Sequence, residues 1–439
     1  MSLLLFSLLE SDRCFSCGSI NKRKKESKDF QIVNGLFIYL AFHPSSTVDD
    51  SKRLRALVNA KLIEGDVSAA VRVLASSDTI LATTPEVLTA LRRKHPAPPS
   101  DVRFVQMENN DSNIEISKEA MVAALKSFSG SSSGGVDGLR PGHIKDLISA
   151  HTAEADTPTC SRLNIFSQLN GFKKKDGGIR PIAVGNIFRR LAAKIACRVV
   201  VKEIGHELRP VQLGVGIQGG CEAAVHATRS FFENTSPVSP RILLKLDMKN
   251  AFNSIRRDHT LEVCHQRTPS IFKLAHLSYS HPSMLIASDN IISSATGIQQ
   301  GDPLGPLLFA MAVDGVARSI ASPFNIWYLD DATLGGSIEA VAADLRRVIP
   351  ALSLLGLEIN SSKSEIINLN YSADDFESAI RDIRLILEDI KITPKEELHI
   401  LGSPVFPMAI RECLDTKHVI LTRMTEKLQL IDAHQPSSS

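Results

Sequence analysis

Charge of one sign is the first thing missing from this chain. Among 439 residues, 50 Lys and Arg stand against 48 Asp and Glu, leaving a net charge of +2. No global basic field is available, so any nucleic-acid binding has to come from local patches. Long apolar runs are missing as well. Those at 2–9 and 35–42 are about eight residues each, far below the ~20 that cross a bilayer, and the first lacks the basic start of a secretory signal. The seven cysteines, at 14, 17, 160, 197, 221, 264 and 413, are scattered and odd in number. That usage suits a reducing compartment and sets the expectation of an intracellular protein, nuclear or cytoplasmic. Cys14-Phe15-Ser16-Cys17 lacks the second ligand pair that a structural zinc site wants. Glycines at 214, 216, 219 and 220 fit neither G-x-G-x-x-G nor G-K-[ST], which excludes Rossmann and P-loop nucleotide binding. His226, His259 and His265 show no ligand spacing and read as structural.

What is present is enough apolar residue, 43%, for a sizeable core. Residues 1–50 show no periodicity and read as a leader of little order. Within it, Lys22-Arg23-Lys24-Lys25 is either a nuclear-import patch or a solvated run. From 51 to 129 the pattern is helical. Val67, Val71 and Leu74 share one face, Thr84-Pro85 forms a cap followed by proline at the first helical position, and Ser117 caps a helix to about 127. Gly130-Ser131-Ser132-Ser133-Gly134-Gly135 reads as a flexible break and a domain boundary. Beyond it, helices and strands alternate without repeats. Pro306 opens a buried apolar helix. Val341, Leu345, Val348, Leu352 and Leu355 line a helical face that Gly356 ends, with a strand at Leu357-Glu358-Ile359 after it. A last helix is expected over 417–431.

The most informative feature is Tyr328-Leu329-Asp330-Asp331, two adjacent carboxylates between apolar arms that read as strand, turn, strand. An Asp pair is often a solvated turn. A second apolar run, Ile242-Leu243-Leu244-Lys245-Leu246, ends at Asp247. Carboxylates brought together repel and are costly to desolvate, so they call for cations between them, and hard divalent ions such as Mg²⁺ prefer oxygen. Two such ions can clamp both oxygens of a phosphoryl transfer.

These residues resemble the reverse transcriptase domain of non-LTR retrotransposons over about 134–405. The run Lys173-Lys174-Lys175-Asp176-Gly177-Gly178-Ile179-Arg180-Pro181-Ile182 is similar to the family's fingers hairpin. Leu246-Asp247-Met248-Lys249-Asn250-Ala251-Phe252 resembles its first palm motif, and Gly297-Ile298-Gln299-Gln300-Gly301-Asp302-Pro303-Leu304-Gly305-Pro306 its template-positioning loop. Tyr328 to Asp331 matches Y-x-D-D. Gly356-Leu357-Glu358-Ile359-Asn360 with Lys363, and then Leu401-Gly402-Ser403-Pro404-Val405, resemble the two motifs that follow. The resemblance implies an α+β fold, a right-hand polymerase palm (241–405) with partial fingers (130–240), a helical N-terminal region (51–129) and a stunted thumb helix and tail (406–439).

It further implies an RNA-directed DNA polymerase that extends a DNA primer on an RNA template from dNTPs, with two Mg²⁺ ions (or Mn²⁺) and no membrane. Asp247, Asp330 and Asp331, with the carbonyl of Met248, become the metal ligands. Lys363 becomes a proton donor to departing pyrophosphate or, on the bland reading, a surface lysine. Lys173, Lys175 and Arg180 would meet the triphosphate, since a guanidinium fork suits phosphate; a solvated basic loop is the alternative. Phe252 is either a gate against the 2′-hydroxyl or core at the start of a helix expected over 251–257. Gln300 and Gly301 would lie against the base pair, and Arg189, Arg190 and Lys194 would line the template path through phosphates. Only about 25 residues join Leu147 to Lys173, and 34 follow Val405, shorter than the family's fingers and thumb. The competing expectation is therefore a catalytically impaired retroelement remnant that only binds nucleic acid.

Overall fold

The computed structural model describes residues 32–33, 36–37, 50–63, 67–75, 81–108, 114, 116–128, 132–150, 166–173, 178–234 and 239–432. The leader's Cys14 and Cys17, the basic patch at 22–25, residues 151–165 and Lys175 lie outside them.

After a short antiparallel pair at Ile32–Val33 and Leu36–Phe37 come helices α1 (Asp50–Ile63), α2 (Val67–Ala75), α3 (Pro85–Arg93), α4 (Lys118–Lys126) and α5 (Pro141–Ala150). Their starts follow from capping chemistry. The Thr84 hydroxyl accepts from the Val87 N–H at 3.3 Å and the Ser117 hydroxyl from the Ala120 N–H at 3.1 Å, each satisfying a donor the first turn leaves open. A hairpin follows, β1 (Phe166–Lys173) and β2 (Ile179–Gly185), and then α6 (Ile187–Glu207) and α7 (Gly220–Glu233). Next come β3 (Ile242–Leu246), α8 (Ala251–Ser254), α9 (Arg257–Arg267), α10 (Pro269–Tyr279), β4 (Ser283–Ala287), β5 (Asn290–Ser294) and α11 (Gly305–Arg318). The rest is β6 (Phe324–Tyr328), β7 (Asp331–Gly336), α12 (Ile338–Leu354), β8 (Glu365–Asn368), α13 (Ala373–Arg384), β9 (Lys391–Ile392), β10 (His399–Ile400), β11 (Ser403–Pro404) and α14 (Pro407–Asp432).

Two sheets organise this α+β body. One runs β2-β1-β4-β5, with β1 and β4 parallel. The other runs β9-β8-β3-β7-β6, antiparallel except for β8 with β9. The period of two along β3 sorts its side chains between two cores. Ile242, Leu244 and Leu246 face the large core, with α11 and the Val341, Leu345, Val348 and Leu352 stripe of α12. Leu243 faces a smaller one against Ala224 and Val225 of α7. Each such buried aliphatic side chain stabilises the fold by roughly 1.5–3 kcal/mol, which fixes the register. The end of α12 follows the sequence signal. The N–H groups of Gly356, at φ +78°, and Leu357 close onto the carbonyls of Ser353 and Leu352, a Schellman ending.

Several expectations change. On α2 the buried face is Ala70 and Leu74, while Val67 and Val71 are exposed, because the small Ala70 is what lets α1 approach. The last helix begins at Pro407, not near 417, and returns to α1 and α2, where Met424 packs and the Lys427 ammonium donates to the Leu74 carbonyl. The helix expected over 251–257 is two pieces, since Ile255 turns extended (ψ 138°). The strand expected at Leu357-Glu358-Ile359 is a single bridge between Ile359 and Met248. Nor are Gly134 and Gly135 slack. A Cβ on either would lie 2.8 Å from backbone, of Gly138 and Gly185 respectively.

Candidate active site

The site grows from one end of the five-stranded sheet. Along β3, the face that begins with Leu243 turns polar at Lys245 and then at Asp247, just past the strand end. Across the ladder Lys245 pairs with Thr333 and Leu246 with Ala332, so Asp331 lies beside Asp247. Tyr328 pairs with Asp331, leaving Leu329 and Asp330 as a two-residue hairpin turn. Asp247 is held from the other side. Asn360 donates its side-chain amide to the Asp247 carboxylate at 3.0 Å and its backbone N–H to the Asp247 carbonyl at 2.8 Å. The Asp247 N–H donates to the Ser364 hydroxyl at 3.2 Å.

The electrostatics follow from that crowding. Solvent reaches Asp331 from the cleft, yet the walls surround its carboxyl with protein. That desolvation, and then the charges of Asp330 and Asp247, push its pKa up from 3.8 to about 6, with Lys245 opposing. A raised carboxyl pKa means the folded state holds its proton longer than the unfolded state. Stability contributed by this group is therefore full below about pH 4, falls as pH rises through 4 to 6, and is flat above. In chelator, the thermal midpoint should lose ground over that window, and Asp331→Asn should flatten the loss. An unchanged pH profile in the variant would dissociate Asp331 from it. The donors are hard oxygens and suit a divalent cation. Among the described residues no group of three His, Cys, Asp or Glu side chains is placed to hold a metal ion.

A cleft of about 950 Å³ joins these carboxylates to the residues singled out in the sequence: Asp247, Met248, Asp330, Asp331, Lys363, Arg180, Phe252, Gln300 and Gly301 all line it. Arg180 is exposed, on the hairpin's second strand. Lys173 contributes its backbone to β1. Phe252 is half-buried and stacks on Phe309, ring centroids 4.6 Å apart, so it is at once cleft wall and core margin. Lys363 is exposed at the rim.

The loop carrying Gln300 is stitched to the rest along its backbone. Gly297, at φ +70°, gives its N–H to the Ile255 carbonyl, and the Ile298 N–H reaches the Phe252 carbonyl. A Cβ at Gly297 would lie 2.1 Å from the Asn253 backbone, so only glycine passes. The Gln300 carbonyl accepts from the Ala183 N–H at 2.8 Å, tying the loop to the free edge of β2.

Asp302 holds the loop's far end and corrects one expectation. Its carboxylate accepts from Arg189 at 2.9 Å, the Tyr279 hydroxyl at 2.7 Å and the Leu304 N–H at 3.0 Å. Arg189 is 4% exposed, so it is an internal brace and not a template-phosphate contact. Burial against this carboxylate holds the Tyr279 hydroxyl well above its usual range. Arg190 and Lys194 do line the cleft, each stacked near Phe128. Asp302 and Asn360 sit inside the quoted motifs, but sequence gives no sign of partners more than a hundred residues away.

The family model for reverse transcriptase (RNA-dependent DNA polymerase) matches residues 172–405. The chain belongs to the reverse transcriptase family, in which domains generally use divalent metal ions. It is similar to the retrotransposable element SLACS 132 kDa protein of Trypanosoma brucei gambiense, 28% identical over 265 residues. That match covers 58% of this chain and 21% of the relative, so the chain spans about a fifth of that protein's length. Among solved structures, apo telomerase from Candida tropicalis matches 66% of this chain and 62% of its own at 12% identity, with a TM-score of 0.36. A form of it truncated from the C-terminal domain matches 52% of this chain and 54% of its own, at the same identity and TM-score. No helix among the described residues is long and apolar enough to cross a membrane.

Proposed function

We propose that this chain is an RNA-directed DNA polymerase that extends a DNA 3′-hydroxyl on an RNA template, using dNTPs and two Mg²⁺ ions, with Mn²⁺ as a substitute. The observation that carries the reading is the single cleft in which the paired carboxylates face Arg180, Phe252 and the Gln300-Gly301 loop. Asp247 and Asp330 would hold the cations, with Asp331 and the Met248 carbonyl as further oxygens. Bound there, the ions supply charge neutralisation at the attacking and leaving oxygens. Arg180, with Lys173 and Lys175 a few positions before it in the chain, would grip the triphosphate. Lys363, at the rim, has the reach to give a proton to departing pyrophosphate. An RNA–DNA hybrid would be held by shape and backbone, because its A-form-like groove hides base edges. Arg190 and Lys194 supply cations for that contact.

The deciding experiment is primer extension by the purified chain on poly(rA)/oligo(dT) with Mg²⁺. Binding of the hybrid without extension would favour the remnant reading instead.

Phe252 should set sugar selectivity. Its ring closes the cleft beside Gly305, and shortening it opens space that a 2′-hydroxyl would take. Phe252→Val should raise incorporation of ribonucleotides relative to deoxynucleotides by about tenfold or more, within the range that a pocket contact of this size gives. An unchanged rNTP/dNTP ratio would reassign Phe252 to packing alone.

A further inference from the structure

The catalytic hairpin contains an unfavourable residue. Leu329, the first of its two turn residues, sits at φ +57°, a left-handed conformation that a leucine resists. Neighbours must impose it. The neighbour is Gln212, 117 positions earlier in the chain and 1% exposed.

We propose that Gln212 is a positioning residue whose side-chain amide clasps the Leu329 peptide groups, holds that residue left-handed, and so fixes where the Asp330 carboxylate stands. The Gln212 Oε1 accepts from the Leu329 N–H at 2.8 Å, and its Nε2 donates to the Leu329 carbonyl at 3.3 Å. The amide's orientation is not arbitrary. Oε1 also accepts from the Gly214 N–H at 3.0 Å, and two backbone donors can face only the oxygen. The backbone around Gln212 is itself fixed against β6. The Trp327 N–H donates to the Val211 carbonyl and the Leu213 N–H to the Trp327 carbonyl, both at 2.7 Å. The clasp thus extends from a short parallel bridge onto the turn just past the strand end. Gly214 leaves the room, since a Cβ there would lie 2.9 Å from both the nitrogen and the Cγ of Leu329.

The consequence for catalysis rests on the polymerase reading above; the clasp itself does not. The test is a double-mutant cycle of Gln212→Met and Leu329→Gly, read by three measurements: amide exchange at Leu329, thermal midpoint, and kcat with KM for dTTP on poly(rA)/oligo(dT). Glycine takes positive φ freely, so it removes the need for a clasp. Gln212→Met should speed exchange at Leu329 by at least about tenfold and lower kcat about tenfold, with KM within about threefold. In the Leu329→Gly background the same change should cost less than about threefold in kcat. Equal costs in both backgrounds, or unchanged exchange at Leu329, would overturn the proposal, because a Gln that merely fills the core loses the same in either.

If Gln212→Met does not fold, Gln212→Glu keeps the acceptor, loses the donor to the Leu329 carbonyl, and brings in a carboxylate whose charge acts equally in the Leu329→Gly background. Exchange should then stay near parental while kcat still falls more with leucine at 329 than in the Leu329→Gly background; equal falls would overturn the clasp. A parent chain without polymerase activity would sink the proposed function, and the exchange measurement alone would then decide the clasp.

Discussion

Asp330→Asn should lower primer extension at least about a hundredfold while leaving the protein folded. Amide and carboxylate have nearly the same shape, so the change removes charge and little else. The turn that carries Asp330 is held through its backbone. Tyr328 pairs with Asp331, and Gln212 grips Leu329, so the hairpin's backbone has holds of its own. Removing the charge also relieves Asp331, whose proton affinity Asp330 raises. The thermal midpoint should therefore hold or rise as the rate collapses. Steady-state extension alongside thermal unfolding reads both. A variant that polymerises at near-parental rate would remove Asp330 from the mechanism.

Arg189→Met should cost about 3–5 kcal/mol of stability, the range seen when one partner of a buried ion pair is removed. Both side chains are nearly fully buried, 5% and 4% exposed, so water cannot step in for the lost guanidinium. The Asp302 carboxylate would keep only Tyr279 and the Leu304 N–H. Because Asp302 ends the Gln300-Gly301 loop, the damage should reach the cleft as well. Urea denaturation measures the first effect, and KM for template–primer the second. A loss below about 1 kcal/mol would mean the pair is screened like a surface one.

The hairpin of Tyr328 to Asp331 was legible because its signals are local: apolar arms, a short acidic turn, and a second apolar run ending at Asp247. The caps at Thr84 and Ser117 and the Gly356 ending were legible for the same reason. Residues with two roles were not. Arg189 looks like any basic residue on a helix, and only the fold reveals that Asp302 lies against it. Val67 and Val71 fit a helical stripe, but which stripe is buried depends on what packs there. The start of α14 was hidden because 407–416 lack a clear apolar period, and its docking onto α1 and α2 joins the two ends of the described body.

By itself, then, the sequence determined the α+β character, the motif order and the carboxylates on strand ends, because periodicity and turn chemistry act over a few residues. The tertiary structure decided that these motifs share one cleft, that burial and like charges raise the Asp331 pKa to about 6, and that Gln212, Asn360 and Arg189 bond to Leu329, Asp247 and Asp302. Those depend on burial and on contacts between residues 113 or more positions apart, and neither is written in any local pattern.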